Sequence, residues 1–324
     1  MALRIDKKNL KLLGVLDLNS QLPATKIAKK IGLSREAVRY RMNLLKEEGL
    51  ILSYTIKVDF SFLNKMVYLF YLTISGSQSQ RNKFQKHLTS INSVYSVEIS
   101  EGSWDLAISI LADNHNEFSK VLEECLVGYE NMILKRTVAL MIFEKNYSYF
   151  SKEKFKSIKK KEPIILDSLD EKILNILFIN SREKIFNIVK KTSSTLDIIR
   201  YRLKKLVRLN LRYTINVDYH KLNLMPFRLF LKYRKINSEL EKKIITFCEL
   251  NKNIISYRKV IADWNAEIDV VVKNLSELYS LTNLLREDFK SIILDTESAN
   301  IANSLCSHQN IKFGGHTVKK KSEE

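Results

Sequence analysis

An α+β fold, made of one unit repeated twice in tandem, is predicted by three observations. From Leu22 to Ile51 the chain has the spacing of two short helices joined by a tight turn. Beyond it, aromatic and β-branched runs alternate with helical stretches in the order strand, helix, strand, strand, helix, strand. The whole pattern then returns about 160 residues later.

In the first stretch Ile27, Ala28 and Ile31 make an apolar stripe at helical spacing, and Gly32 can supply the left-handed residue that ends the helix. Leu33 then faces inward and Ser34 is placed to cap the next helix. On that second helix Ala37, Val38, Met42, Leu44 and Leu45 share one arc, and Arg35, Glu36, Arg39, Tyr40 and Asn43 share the opposite one. An exposed face with two arginines, a tyrosine and an asparagine suits the major groove of DNA, where Arg reads guanine and Asn reads adenine. Thr25 and Lys26 open the first helix and complete the candidate contact set with Ser34. Ser53 to Phe60 follows as an alternating run, the pattern of a wing strand.

Strands are expected over Val67–Ser75, Val94–Glu101, Asp105–Leu111 and Met132–Phe143, with helices over Gln80–Ile91 and Asn114–Val127. This βαββαβ order is the ferredoxin-like module. The second copy repeats it over Phe227–Lys235, Leu240–Leu250, Ile254–Ile261, Glu267–Lys273, Leu275–Phe289 and Ile292 to about Ala302. The expected division is 1–60 (winged helix–turn–helix), 61–150 (module), 151–163 (basic linker), 164–220 (second, divergent winged helix–turn–helix), 221–313 (second module) and 314–324 (disordered tail).

The duplication is visible residue by residue. Ser53-Tyr54-Thr55-Ile56-Lys57-Val58-Asp59-Phe60 is echoed by Arg212-Tyr213-Thr214-Ile215-Asn216-Val217-Asp218-Tyr219, and Arg39-Tyr40-Arg41 by Arg200-Tyr201-Arg202. The only two tryptophans, Trp104 and Trp264, also align. The two heads are not equal, however. The second face carries Asp197, Arg200, Tyr201 and Lys204, while Arg35 becomes Leu196, Gly32 becomes Ser193 and Gly49 becomes Asn210. The first head is expected to be the main reader. For the second, a degenerate half-site, a hold on phosphate, or a structural role all stand, with its glycine-free turn reshaped. Arg41 and Arg202, at the border of the buried arc, fit either an ion pair within their own head or a phosphate contact.

Composition narrows the function classes. The 324 residues carry a net charge of +18, 54 Lys+Arg against 36 Asp+Glu, which favours a polyanionic partner, although an AT-rich genome also favours lysine. Cys125, Cys248 and Cys306 form no CxxC pattern, so free thiols in a reducing cytoplasm are expected. There is no apolar leader segment and no apolar run approaching the ~18 residues of a membrane span. No phosphate loop, paired-carboxylate motif or Cys/His cluster is present, so no enzyme activity, metal or cofactor is expected.

The spacing of Gly32, Leu33, Ser34, Arg41, Leu45 and the closing Glu48-Gly49-Leu50-Ile51, with the opening Ile5-Asp6, resembles the Lrp/AsnC family of transcriptional regulators. The likeness is close from Ile5 to Asp59 and looser beyond. It implies sequence-specific binding of double-stranded DNA, modules paired sheet to sheet, and a small effector, often an amino acid, near that interface. Glu101-Gly102-Ser103-Trp104-Asp105 resembles the family's turn, which implies Gly102 and Asp105 as effector-binding residues; the plain alternative is a hairpin with both tryptophans in the core. Ala262-Asp263-Trp264-Asn265 lacks both features. Siroheme decarboxylases share this architecture and place a histidine and an arginine near the end of the second strand. Here Ser93 to Ile99 and Asn253 to Lys259 contain no histidine. A scaffold that binds no DNA is the third alternative.

Pairing of the modules within one chain is expected, as a pseudo-dimer. The faces to be covered are Val67, Leu69, Tyr71 and Thr73 on one strand and Phe227, Leu229 and Leu231 on the matching one.

Overall fold

The computed structural model describes residues 5–63, 65–151, 164–235 and 237–306. The expected tail, and the linker after Ser151, lie outside the described residues. The first unit runs α1 (Lys7–Leu18), α2 (Ala24–Ile31), α3 (Arg35–Glu47), β1 (Ile51–Lys57), β2 (Met66–Ile74), α4 (Gln78–Ser90), β3 (Val94–Gly102), β4 (Leu106–Ala112), α5 (His115–Leu126) and β5 (Ile133–Asn146). The second runs α6 (Ser168–Ile179), α7 (Ile185–Thr192), α8 (Leu196–Leu206), β6 (Arg212–Val217), β7 (Met225–Tyr233), α9 (Ser238–Leu250), β8 (Ile254–Ile261), β9 (Ala266–Val272), α10 (Leu275–Asp288) and β10 (Ile293–Cys306).

Each unit starts from a capped helix. The Asp6 carboxylate accepts the Asn9 amide ahead of α1, and Asp167 accepts the Leu169 and Asp170 amides ahead of α6. Leu12, Leu16, Ile27, Val38 and Leu45 then close the core of the first head with no exposed surface.

The strand after each helix–turn–helix does not form a wing within its own head. β1 and β6 pair with each other, antiparallel, with Thr55 opposite Thr214 and Tyr54 and Ile56 opposite Ile215 and Tyr213. Thr55 and Thr214 are equivalent in the repeat, so a pseudo-twofold axis passes between them. The neighbouring contacts obey the same axis. Ser20 donates its amide to the Tyr213 carbonyl, Ser181 donates its own to Tyr54, and the two buried serine hydroxyls meet at 2.7 Å. α1 packs on β6 and α6 on β1, so each head is completed by the other's strand.

The modules are joined with similar reciprocity. Their strand orders, β3-β4-β2-β5 and β8-β9-β7-β10, are ferredoxin-like, and β5 pairs with β8 while β10 pairs with β3. The result is a closed eight-stranded barrel, which leaves no free sheet edge. α4 and α5 cover one outer face through Phe84, Leu88, Val121 and Cys125, and α9 and α10 the other through Ile244, Cys248, Leu281 and Leu285. Burial pushes the Cys125 thiol up to about 12, consistent with an inert core residue.

The barrel interior corrects one expectation. Val67, Leu69 and Tyr71 do face inward, but Phe227, Leu229 and Leu231 lie on the other side of their strand, under α9 and α10. Their partners in the repeat are Tyr68, Phe70 and Leu72; the inward set of β7 includes Arg228 and Phe230. The interior is therefore half aromatic and half ionic. Tyr71, Trp104, Phe230 and Trp264 cluster with ring centres 5.0 to 6.0 Å apart, and the charged groups come from Arg228, Arg258, Glu267 and Asp269.

Candidate nucleic-acid interface

The first head presents its second helix as the sequence expects. Gly32 sits at φ +67° and returns its amide to the Ala28 carbonyl at 2.9 Å, while Leu33 donates to the same carbonyl at 3.1 Å. Lys8 caps the end of α2 by donating to the Ile31 and Gly32 carbonyls at 2.6 and 3.0 Å. Ser34 Oγ accepts the Ala37 amide at 3.1 Å and starts α3 at once, which keeps the turn short. Thr25, Lys26, Ser34, Arg35, Glu36, Arg39, Tyr40 and Asn43 are all exposed, and Tyr40 keeps 68% of its surface. Arg35 is held lightly, its Nε donating to Glu36 at 2.9 Å. That contact, after a backbone hydrogen bond within Glu36, holds the Glu36 carboxyl below its ordinary range.

Arg41 belongs to the scaffold instead. Its Nη1 donates to Asp6 at 2.8 Å and to Asn9 at 2.7 Å, tying α3 to α1. Arg202 does the same work in the second head through Asp167 at 2.6 Å and the fully buried Asp170 at 3.3 Å. Of the two roles open to these arginines from sequence, the ion pair is the one the fold uses.

The second head keeps the geometry and changes the chemistry. Its turn is not reshaped: Ser193 adopts φ +51°, the left-handed conformation that glycine has in the first head. Asn210 does so at φ +54°, a conformation asparagine tolerates. Asp197, Arg200, Tyr201 and Lys204 are exposed, and Tyr201 matches Tyr40 at 67%. Around them the face is more apolar. Phe186 stands where the first head has Thr25 and is 69% exposed, and exposed Ile198 replaces half-buried Ala37.

The residues expected to take an effector are engaged by the fold itself. Gly102 has φ +123°, and a Cβ there would stand 2.8 Å from the Ser298 carbonyl of β10, so the close approach is by backbone. Asp105 accepts the Ile74 amide at 2.7 Å and lies 3.8 Å from Arg81. Asn265, its counterpart, accepts the Tyr233 amide at 2.8 Å, so this position clips a strand end in both copies. The tryptophans beside these turns pack against each other in the barrel. A cavity of about 2150 Å³ separates the heads from the barrel, with Phe60, Tyr95, Tyr149, Glu144 and Arg258 in its walls. Among the described residues no group of three or more His, Cys, Asp or Glu side chains could hold a metal ion, and no helix is long and apolar enough to cross a membrane.

The family of winged helix-turn-helix DNA-binding domains matches residues 5–51. An HTH-type transcriptional regulator of Pyrococcus abyssi, itself uncharacterised, is 33% identical over 124 residues, which are 38% of this chain and 83% of that protein. The regulator LysM of Saccharolobus solfataricus is 27% identical over 138 residues, 41% of this chain and 95% of its own. Each such relative accounts for well under half of the chain, as expected of a doubled unit. The structure of the siroheme decarboxylase NirDL has the same fold over 93% of this chain and 92% of its own, with a TM-score of 0.59 and 10% identity. On the strength of its sequence relatives and its winged helix–turn–helix, the chain belongs to the Lrp/AsnC family of HTH-type transcriptional regulators.

Proposed function

We propose that the protein is a sequence-specific regulator that binds double-stranded DNA through α3 of the first head and uses α8 of the second mainly to hold phosphate. The observation that carries this reading is the exposed arc of Arg35, Arg39, Tyr40 and Asn43 on a helix whose opposite arc is locked into the core. Groove reading needs such a helix, with its polar face free and its orientation fixed. Thr25, Lys26 and Ser34 lie where a phosphate strand would pass. The second head offers Arg200, Tyr201 and Lys204 but presents Leu196 in place of Arg35, which supports backbone contact over base reading. An acidic residue, Glu36 or Asp197, stands in the first turn of each reading helix and disfavours indiscriminate phosphate binding.

The regulator reading is preferred to a tetrapyrrole enzyme because the sequence likeness is to regulators, whereas the decarboxylase likeness, at 10% identity, concerns the fold alone. Selection of genomic fragments by the purified protein, with and without pooled amino acids, tests both the DNA reading and an effector response. An imperfect palindrome should emerge, because the two faces differ. Recovery of fragments with no common sequence would sink the proposal.

A further inference from the structure

The ionic half of the barrel interior is written across both modules, and its partners are not interchangeable. Strand registers fix which positions are equivalent. Leu69 and Tyr71 lie opposite Ser109 and Ala107, as Arg228 and Phe230 lie opposite Asp269 and Glu267. Glu98 lies opposite Ala107, as Arg258 lies opposite Glu267. Across the seams Glu144 faces Arg258, and Ser304 faces Glu98. At five matched positions the first module therefore carries Leu69, Glu98, Ala107, Ser109 and Glu144, and the second carries Arg228, Arg258, Glu267, Asp269 and Ser304.

The contacts between modules follow from that list. Arg228 Nη1 reaches Glu98 at 2.7 Å, and Arg258 Nε reaches Glu144 at 2.8 Å. Tyr71 donates its hydroxyl to Glu267 at 2.7 Å. Within the second module Asp269 accepts from both arginines, at 2.7 Å in each case. Burial opposes charge on Arg228 and Arg258, yet these carboxylates more than offset it and hold both guanidiniums charged.

We propose that this largely buried ionic set is a pairing code that admits the first module only to the second and excludes pairing of either module with its own kind. Two first modules would set Glu144 against Glu98 of the other copy at both seams, with no cation at any of the five positions. Two second modules would set Arg228 against Arg258 of the other copy, and would leave Arg258 facing Ser304 instead of a carboxylate. Like charges so placed in a largely buried interface cost several kcal/mol, equivalent to a preference of about a hundredfold or more for the unlike pair. A self-pairing interface must be complementary to itself, and neither wall meets that condition. The code keeps one strong and one weak reading helix together in every molecule, and it holds whatever those helices bind.

Two measurements test it. The whole protein, nicked at a protease site inserted between residues 152 and 163, is unfolded in urea, refolded by dilution and weighed by native mass spectrometry. Unlike halves paired one to one support the code, and like pairs in statistical proportion overturn it. In the intact chain, Glu98→Arg places the second module's residue in the first and reproduces the forbidden contact with Arg228, whereas Glu98→Leu only removes the charge. The arginine variant should unfold at a clearly lower urea concentration than the leucine variant. Equal effects of the two, including equal failure to fold, overturn the code.

Discussion

Replacing Arg35 with alanine should separate base reading from phosphate holding. The Arg35 side chain is half exposed, and the structure engages it through one surface ion pair, to Glu36 at 2.9 Å. Such pairs are worth about 1 kcal/mol at most, so releasing the guanidinium to a base costs little. A bidentate contact to guanine discriminates by about 1–3 kcal/mol. Arg35→Ala should then weaken the preferred site about 5- to 150-fold at 1.4 kcal/mol per tenfold. Binding to random DNA should fall far less, by the loss of one general attraction. Because Arg35 makes no core contact, the unfolding free energy should stay within about 0.5 kcal/mol of the parent. Fluorescence anisotropy with the selected site and a scrambled duplex, at one fixed salt concentration, measures both affinities. Glu36→Gln is the converse perturbation: it frees Arg35 and removes a negative charge, so affinity for both duplexes should rise. If Arg35→Ala weakens site and scramble equally, Arg35 is a phosphate clamp and the register of α3 in the groove is wrong.

The second head should contribute through charge: Arg200→Ala with Lys204→Ala should flatten the log–log salt slope by about one to two units and leave site preference nearly intact. Ser193→Gly relieves a left-handed serine at φ +51° and should raise stability by about 1 kcal/mol, read as an increase in the calorimetric midpoint. Burial pushes the Glu267 carboxyl above its ordinary value of 4.5, against the pull of Arg228 and Arg258. The folded state therefore keeps a proton that the unfolded chain loses first, and stability falls as pH rises through that window. Glu267→Gln, which keeps an acceptor for Tyr71 and Trp264, should gain on the parent in urea midpoints as pH rises above 4.5; a constant difference would refute this. Finally, adding about five base pairs, half a helical turn, between half-sites should abolish the second head's contribution, because the cross-paired strands hold the heads in one phase.

The first head was readable in the sequence because its signals are local. Ser34, Gly32 and the two arcs of α3 act within a few residues of themselves, and each appears where the spacing puts it. Alternation does not give the inward face of a strand that is buried on both sides. β7 is buried on both sides from Pro226 to Leu231, so its residues show no alternation, and its inward face lies one residue out of step with the face expected from the sequence. The partner of β1 was invisible for another reason. Alternation says which side of a strand is buried but not which edge receives its hydrogen bonds, and the edge here belongs to a strand about 160 residues away. The turn at Gly102 shows how one signal has two causes. A glycine at positive φ admits any close neighbour, and here the neighbour is Ser298.

The ionic set in the barrel was legible in principle, but only by comparing the copies with each other. Arg228, Glu267 and Asp269 each stand where the first copy has a small or apolar residue, inside strands that are otherwise mostly apolar. A single charge in such a strand argues against the strand; three charges on neighbouring strands, where the other copy has none, argue for a partner. That distinction bears on why the chain is doubled at all. Two separate one-unit chains, joined around a true twofold axis, present identical reading helices and so favour a symmetric site. Here the strands after the two heads are paired with each other, the barrel is closed on both seams, and the charges inside it differ from one half to the other. Each of these contacts is satisfied by unlike halves. The doubled chain thus holds two faces that differ, Arg35 against Leu196 and Thr25 against Phe186, in one frame that sets the distance between them.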